Sequence, residues 1–214
     1  VRMDDADPLR GFRAQFHIPR SPGGEDQIYL CGNSLGLQPV AARDFVEQEL
    51  RDWAELGVEG HFHAKHPWMP YHEALTEQTA RIVGALPVEV VTMNTLTVNL
   101  HLLMVSFYRP TASRYKIIIE EKAFPSDQYA AASQLRFHGF DPADGVVEIP
   151  MDTDGHFSTD AALATIARHR GEAALLLLGG VNYYNGQLFD IPAITRAARD
   201  AGITVGMDCA HAAG

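Results

Sequence analysis

Two cysteines, Cys31 and Cys209, are all that 214 residues carry. That is too few to staple a disulfide scaffold, and the expected setting is a reducing one, the cytoplasm. Lysine is nearly as scarce, with only Lys65, Lys116 and Lys122. Basic residues number 17 against 27 acidic ones, a formal charge of −10. A surface that acidic repels phosphate backbones and anionic lipid, which argues against nucleic acid and membrane as partners. No apolar run approaches the ~20 residues that span a bilayer. The longest, over 173–181, is broken by two glycines. The opening Val-Arg-Met-Asp-Asp-Ala-Asp is hydrophilic and lacks the core of a signal peptide. Absent too are a Gly-rich phosphate loop, a Gly-x-Ser-x-Gly elbow and a paired-cysteine zinc motif.

What remains is an ordinary globular composition, 46% hydrophobic and 21% charged, long enough to bury a core. The first stretch reads as a loop-rich arm, in which Ile28-Tyr29-Leu30 leads into the turn-prone Gly32-Asn33-Ser34. Over 39–56, Val46, Leu50, Trp53 and Leu56 recur at helical spacing, with Pro39 suited to the first turn and Gly57 to the C-cap. A second helix is predicted over 71–86. From 88 onward strands alternate with helices. Strands are expected at 88–92, 116–120, 146–149, 173–178 and 203–208, and helices at 97–108, 126–137, 158–169 and 191–201. Continuous apolar strands imply helices on both faces, so the fold class is α/β with a mainly parallel sheet. The expected division is an arm and helix over 1–56 and a large domain over 57–214. The chain stops six residues after Asp208, so that domain is expected to be incomplete.

Ligands of open α/β sheets bind beyond the carboxyl ends of the strands, and four segments could reach that edge. Asn94-Thr95-Leu96-Thr97 could open a helix whose free N–H groups hold phosphate, or Thr95 or Thr97 could merely cap it. Phe124-Pro125-Ser126-Asp127 offers a ring face and hydrogen-bonding side chains, or a turn with an N-cap. Asp208-Cys209-Ala210-His211 ends an apolar strand with a carboxylate that needs a cation, such as a protonated pyridine nitrogen, or simply caps the next turn. The loop 181–187, with Tyr183, Tyr184 and two asparagines, could line a pocket or only connect. His61, His63 and His66 cluster without cysteine or dense carboxylate, which favours a solvated loop over a metal site.

In combination these segments resemble the kynureninases, pyridoxal-phosphate enzymes of the aspartate-aminotransferase fold. The likeness rests on Tyr29-Leu30-Cys31-Gly32-Asn33-Ser34-Leu35-Gly36, on the run from Met93 to His101, on Phe124-Pro125-Ser126-Asp127, and on Tyr183-Tyr184-Asn185-Gly186-Gln187. The resemblance implies that Leu96 and Thr97 hold the cofactor phosphate and that Phe124 stacks on the ring. Pro125, Ser126 and Asp127 would lie close to the cofactor, with Asp208 on the pyridinium nitrogen and His211 beside it. Ser34 and His61 would face the substrate. Asp208 and His211 are the catalytic candidates, and no metal is implied. The implied reaction is hydrolysis of L-kynurenine or 3-hydroxykynurenine to the anthranilate product and L-alanine, in tryptophan catabolism and NAD biosynthesis. The implied assembly is a homodimer, or a pairing with a complementary chain half. In that family the Schiff-base lysine follows the Asp-x-x-His strand, so this chain is expected to be inactive alone. A related lyase such as a cysteine desulfurase, and a non-catalytic ligand- or partner-binding module, stay open as alternatives.

Overall fold

The computed structural model describes residues 2–213, which fall into two compact units, Val1–Thr92 and Met93–Gly214.

The first unit contains α1 (Arg2–Ala6), α2 (Ala42–Leu56), α3 (Gly60–His63) and α4 (Thr76–Val83). Pro39 sits just ahead of α2, where its carbonyl accepts the Ala42 N–H at 3.1 Å, and Gly57 ends the helix with φ 55 as the expected cap. The helix expected over 71–86 is shorter. A 3-10 turn, Glu73–Leu75, runs into α4, which Gly84 stops in the left-handed region at φ 69. The strand expected over 88–92 does not form. Pro87 has no N–H to give a ladder, and Glu89 turns its carboxylate back onto the Leu86 N–H at 2.9 Å. The result is a 3-10 turn, Pro87–Glu89.

The second unit is a parallel sheet with strand order β2-β1-β3-β4, formed by β1 (Lys116–Glu120), β2 (Val146–Ile149), β3 (Ala173–Gly179) and β4 (Thr204–Asp208). Its helices are α5 (Leu96–Phe107), α6 (Pro125–Phe137), α7 (Pro142–Gly145), α8 (Thr159–Arg168) and α9 (Ile191–Asp200). Because successive side chains point to opposite faces, the continuous apolar strands feed two cores. Ile118, Leu176 and Leu178 pack with Ile166 and Ile194 in one. Ile117, Ile119, Leu175 and Leu177 pack with Met104 and Leu135 in the other. Each fully buried side chain of this size contributes roughly 1.5–3 kcal/mol. The α/β class with helices on both faces is therefore the observed one.

The two ends of the sheet differ in charge. At the amino end the Lys116 ammonium lies 3.1 Å from Glu172 and 3.9 Å from Asp144. Arg114 donates there to the carbonyls of Ala173 at 2.7 Å and Ala201 at 2.8 Å. At the carboxyl end β1, β3 and β4 finish in Glu120, Gly179 and Asp208. The chain leaves β1 toward β2 on one side and β3 toward β4 on the other. The switch point of the topology is thus the gap between the ends of β1 and β3, where such sheets bind ligands.

Candidate active site

Beyond β1 the chain turns tightly. The Ala123 N–H reaches back to the Glu120 carbonyl at 3.1 Å, and Lys122 takes up a left-handed φ of 56, costly for a side-chain-bearing residue. That turn delivers Phe124 to the N-cap of α6, with Pro125 in the first helical turn, where a missing N–H costs nothing. Ser126 and Asp127 do not cap the helix. Ser126 Oγ instead donates to Asp127 Oδ1 at 3.2 Å, and Asp127 is buried.

Three carboxylates meet in this crevice. Asp208, opposite Gly179 in the ladder, accepts the Ala210 N–H at 2.9 Å, so one of its oxygens does hold the following turn. Asp127 hydrogen-bonds to Asp208, and burial together with the Asp208 charge pushes its carboxyl up to about 7. Glu120 is buried and accepts the Gly179 N–H from both oxygens at 3.3 Å. Burial raises its carboxyl, its own N–H and that of Gly179 lower it, and Asp208 raises it again. No ion pair among the described residues involves any of the three. Buried carboxylates without a counter-charge are costly. A cationic ring nitrogen supplies what this edge lacks, so the donor set fits pyridoxal phosphate.

Aromatic rings surround the same place. Phe124 meets Tyr183 edge-on with centroids 5.0 Å apart. His211 lies 6.2 Å from Phe124 and 6.4 Å from Tyr183. Rings from three loops, one after each of β1, β3 and β4, are thereby brought together. The amides of the loop after β3 have a different task. Asn182 Oδ1 accepts the N–H groups of Tyr184 and Asn185. Gln187 bonds both backbone groups of Phe157, at 2.7 and 2.6 Å. These amides shape the loop, and Tyr183 is its contribution to the crevice.

Helix α5 begins with Thr95 at the N-cap in an extended conformation and no side-chain cap. Neither threonine takes the bland capping role, and the N–H groups of Leu96 and Thr97 precede the first helical bond, Asn99 N to Thr95 O at 2.9 Å. Unsatisfied N–H groups at the positive end of a helix suit a phosphate. No strand leads into this turn, contrary to expectation. A cavity of about 620 Å³ joins Leu96 and Asn99 at this helix start to Asp208, Cys209 and Ala210 at the end of β4. Phe124, Asp127 and His211 are not in its wall.

The remaining expected residues belong to the first unit. Ser34 lies in an exposed turn, its N–H bonded to the Cys31 carbonyl at 2.9 Å. The Tyr29 hydroxyl closes that turn on the Leu35 carbonyl at 2.6 Å. His61 is exposed, with Nδ1 at 2.8 Å from the Val58 carbonyl. The neighbouring histidines take separate partners, His63 facing Glu59 at 3.8 Å and His66 the ring of Phe45. No group of side chains among the described residues is arranged to hold a metal ion, and no helix among them is long and apolar enough to cross a membrane.

Glu120 escaped sequence reasoning. Its signal was there, a charge closing the otherwise apolar run Ile117-Ile118-Ile119.

Comparison with known proteins bears on the family and the fold. Kynureninases are similar along the chain. That of Myxococcus xanthus is 57% identical over all of this chain and 50% of its own length. That of Koribacter versatilis is 58% identical over all of this chain and 51% of its own, and that of Nematostella vectensis 48% over 99% and 48%. The chain spans about half the length of the curated relatives it matches. Among solved structures, C-DES with glycine covalently linked to its PLP cofactor superposes with a TM-score of 0.72 at 16% identity, covering 94% of this chain and 50% of that one. The cysteine desulfurase CsdA of Escherichia coli gives 0.70 at 20% identity, over 94% and 48%. Residues 28–214 match the aminotransferase class-V family, and the chain belongs to that family.

Proposed function

We propose that this chain is the N-terminal part of a kynureninase, which hydrolyses L-kynurenine or 3-hydroxykynurenine to the corresponding anthranilate and L-alanine. Region 57–214 contributes part of its cofactor-binding large domain. The observation that carries this reading is the meeting of three buried or half-buried carboxylates, without a cation, beside the Phe124 and His211 rings. The choice of substrate is supported by relatives named kynureninase at 48–58% identity. The likeness to C-DES at 16% and to the cysteine desulfurase CsdA at 20% supports the fold alone.

Pyridoxal phosphate, when bound, supplies an electron-withdrawing ring that acidifies the substrate's α-carbon. Asp208 would hold the proton on the ring nitrogen. Asp127, whose carboxyl is raised by burial and by the Asp208 charge, would share a proton with Asp208 and leave the pair with negative charge for the ring nitrogen. Phe124 would cover a face of the ring, with His211 and Tyr183 around it, and Pro125 and Ser126 would keep that loop in place. The N–H groups of Leu96 and Thr97 would hold the phosphate. The family resemblance implies that Ser34 and His61 face the substrate.

The chain alone does not turn over substrate. Lys116 is held at the opposite end of the sheet, Lys122 stands in the strained turn after β1, and Lys65 follows a segment that Asp52 ties to α2. None matches the family's Schiff-base lysine. A homodimeric assembly, a cytoplasmic setting and a place in tryptophan breakdown and NAD synthesis are supported by the resemblance. The acidic charge speaks against nucleic acid and membrane. The test is turnover of L-kynurenine against L-cysteine by the complete enzyme. Alanine and an anthranilate from kynurenine support the proposal, whereas sulfur release from cysteine with no cleavage of kynurenine defeats it.

A further inference from the structure

We propose that Trp68 and Glu49 are positioning residues that set the orientation of His61, a proposal that rests on the reading of His61 as substrate-facing. Helix α2 carries Glu49 and Asp52 one turn apart, on the same side. Glu49 Oε2 accepts the indole N–H of Trp68 at 2.7 Å. Asp52, buried at 8% exposure, accepts the Lys65 N–H at 3.0 Å and the Gln48 amide at 3.0 Å. Two carboxylates of one helix thus tie down the segment that follows His61. Charge-assisted bonds of this kind are stronger than neutral ones.

The indole then lies against the backbone of α3. A Cβ at Gly60 would stand 2.4 Å from Trp68 Cη2 and 2.6 Å from Cζ3, closer than atoms approach without displacement. Gly60 has an ordinary helical φ of −57, so glycine is required there for space alone. From this seat the indole meets the His61 ring edge-on, with centroids 5.4 Å apart and planes at 73°. The Met69 N–H donates to the His61 carbonyl at 3.1 Å, closing the loop around the contact. On its other side His61 Nδ1 lies 2.8 Å from the Val58 carbonyl. A carbonyl only accepts, so Nδ1 carries the hydrogen and Nε2 of the neutral ring is an acceptor. The imidazole is therefore fixed by Val58 and by Trp68 while the residue stays exposed.

The test is a double-mutant cycle in the complete enzyme, with His61→Ala, Trp68→Phe and the pair, followed by steady-state kinetics on L-kynurenine. Trp68→Phe keeps a ring but loses the bond to Glu49, so KM is expected to rise about fivefold with kcat within about twofold, the pattern of lost ground-state binding. The double variant should be no worse than His61→Ala, because Trp68 acts through His61. Glu49→Gln, which keeps an acceptor, should remain near the parent value, and Glu49→Leu should match Trp68→Phe. Additive losses in the cycle, or a fall in kcat at constant KM, would overturn the positioning role while leaving His61 in place. A His61→Ala enzyme with unchanged kinetics would instead remove the substrate-facing reading, and this proposal with it.

Discussion

At the scale of single residues, the carboxyl edge of the sheet is defined by what three acids do to one another. Asp127 stays protonated to about 7 in the fold, against about 3.9 for an exposed aspartate. The unfolded chain therefore loses this proton first as pH rises, and stability falls by at most about 1.4 kcal/mol per pH unit between those values. Glu120 adds to the same trend, since its carboxyl is raised as well. Thermal melts without added cofactor should show this loss from about pH 4 to 7, and Asp127→Asn should flatten it. A variant with the parent's pH profile would show that Asp127 does not carry the proton. Asp208→Asn in the complete enzyme should retain cofactor but lose turnover by roughly 10²-fold, the size of effect that loss of one charge-stabilising group has elsewhere. Parent-like kcat on L-kynurenine would take Asp208 out of the chemistry.

Secondary elements explain why those residues arrive together. Helices α8 and α9 start on side-chain caps, Ser158 accepting the Ala161 N–H and Asp190 the Ala193 N–H. Asp190→Ala is expected to cost about 1 kcal/mol, read as a lower midpoint in urea at unchanged slope. Helix α7 packs so closely that a Cβ on Gly145 would lie 2.5 Å from Leu135. Gly145→Ala should destabilise by roughly 1–3 kcal/mol through overpacking, and an unchanged melting temperature would contradict that contact. Strands β1 and β3 were legible because Ile117-Ile118-Ile119 and Leu175-Leu176-Leu177-Leu178 leave no polar face. The segment 88–92 misled because Val88, Val90 and Val91 look like a strand, whereas Pro87 and Glu89 fold it into a turn. Phe124 and His211, whose rings lie 6.2 Å apart, were singled out with Asp208 through their family wording. The Glu49–Trp68 bond was not, since it depends on a contact between elements that no local spacing encodes, and the charge of Glu120 at the end of an apolar run did not reveal its bond to Gly179.

Taken as a whole molecule, the protein leaves apolar surface to be covered. Helix α5 is apolar nearly all round, a pattern of buried helices, yet Leu103, Val105 and Phe107 are 55–58% exposed. Ile28, Leu30 and Val88 are 84–91% exposed, and β4 stands at the edge of its sheet, open to another strand. The 214-residue chain on its own should therefore self-associate. Light scattering after size exclusion would show this, and a monomer of 23.5 kDa that melts cooperatively would refute it. The central claim is that these elements converge on a cation-seeking edge that keeps a pyridine nitrogen protonated. ¹⁵N NMR of ring-labelled pyridoxal phosphate in the complete enzyme reads that proton directly. The nitrogen should appear protonated at neutral pH with Asp208 present and unprotonated in Asp208→Asn, and a shift identical in both would contradict the account.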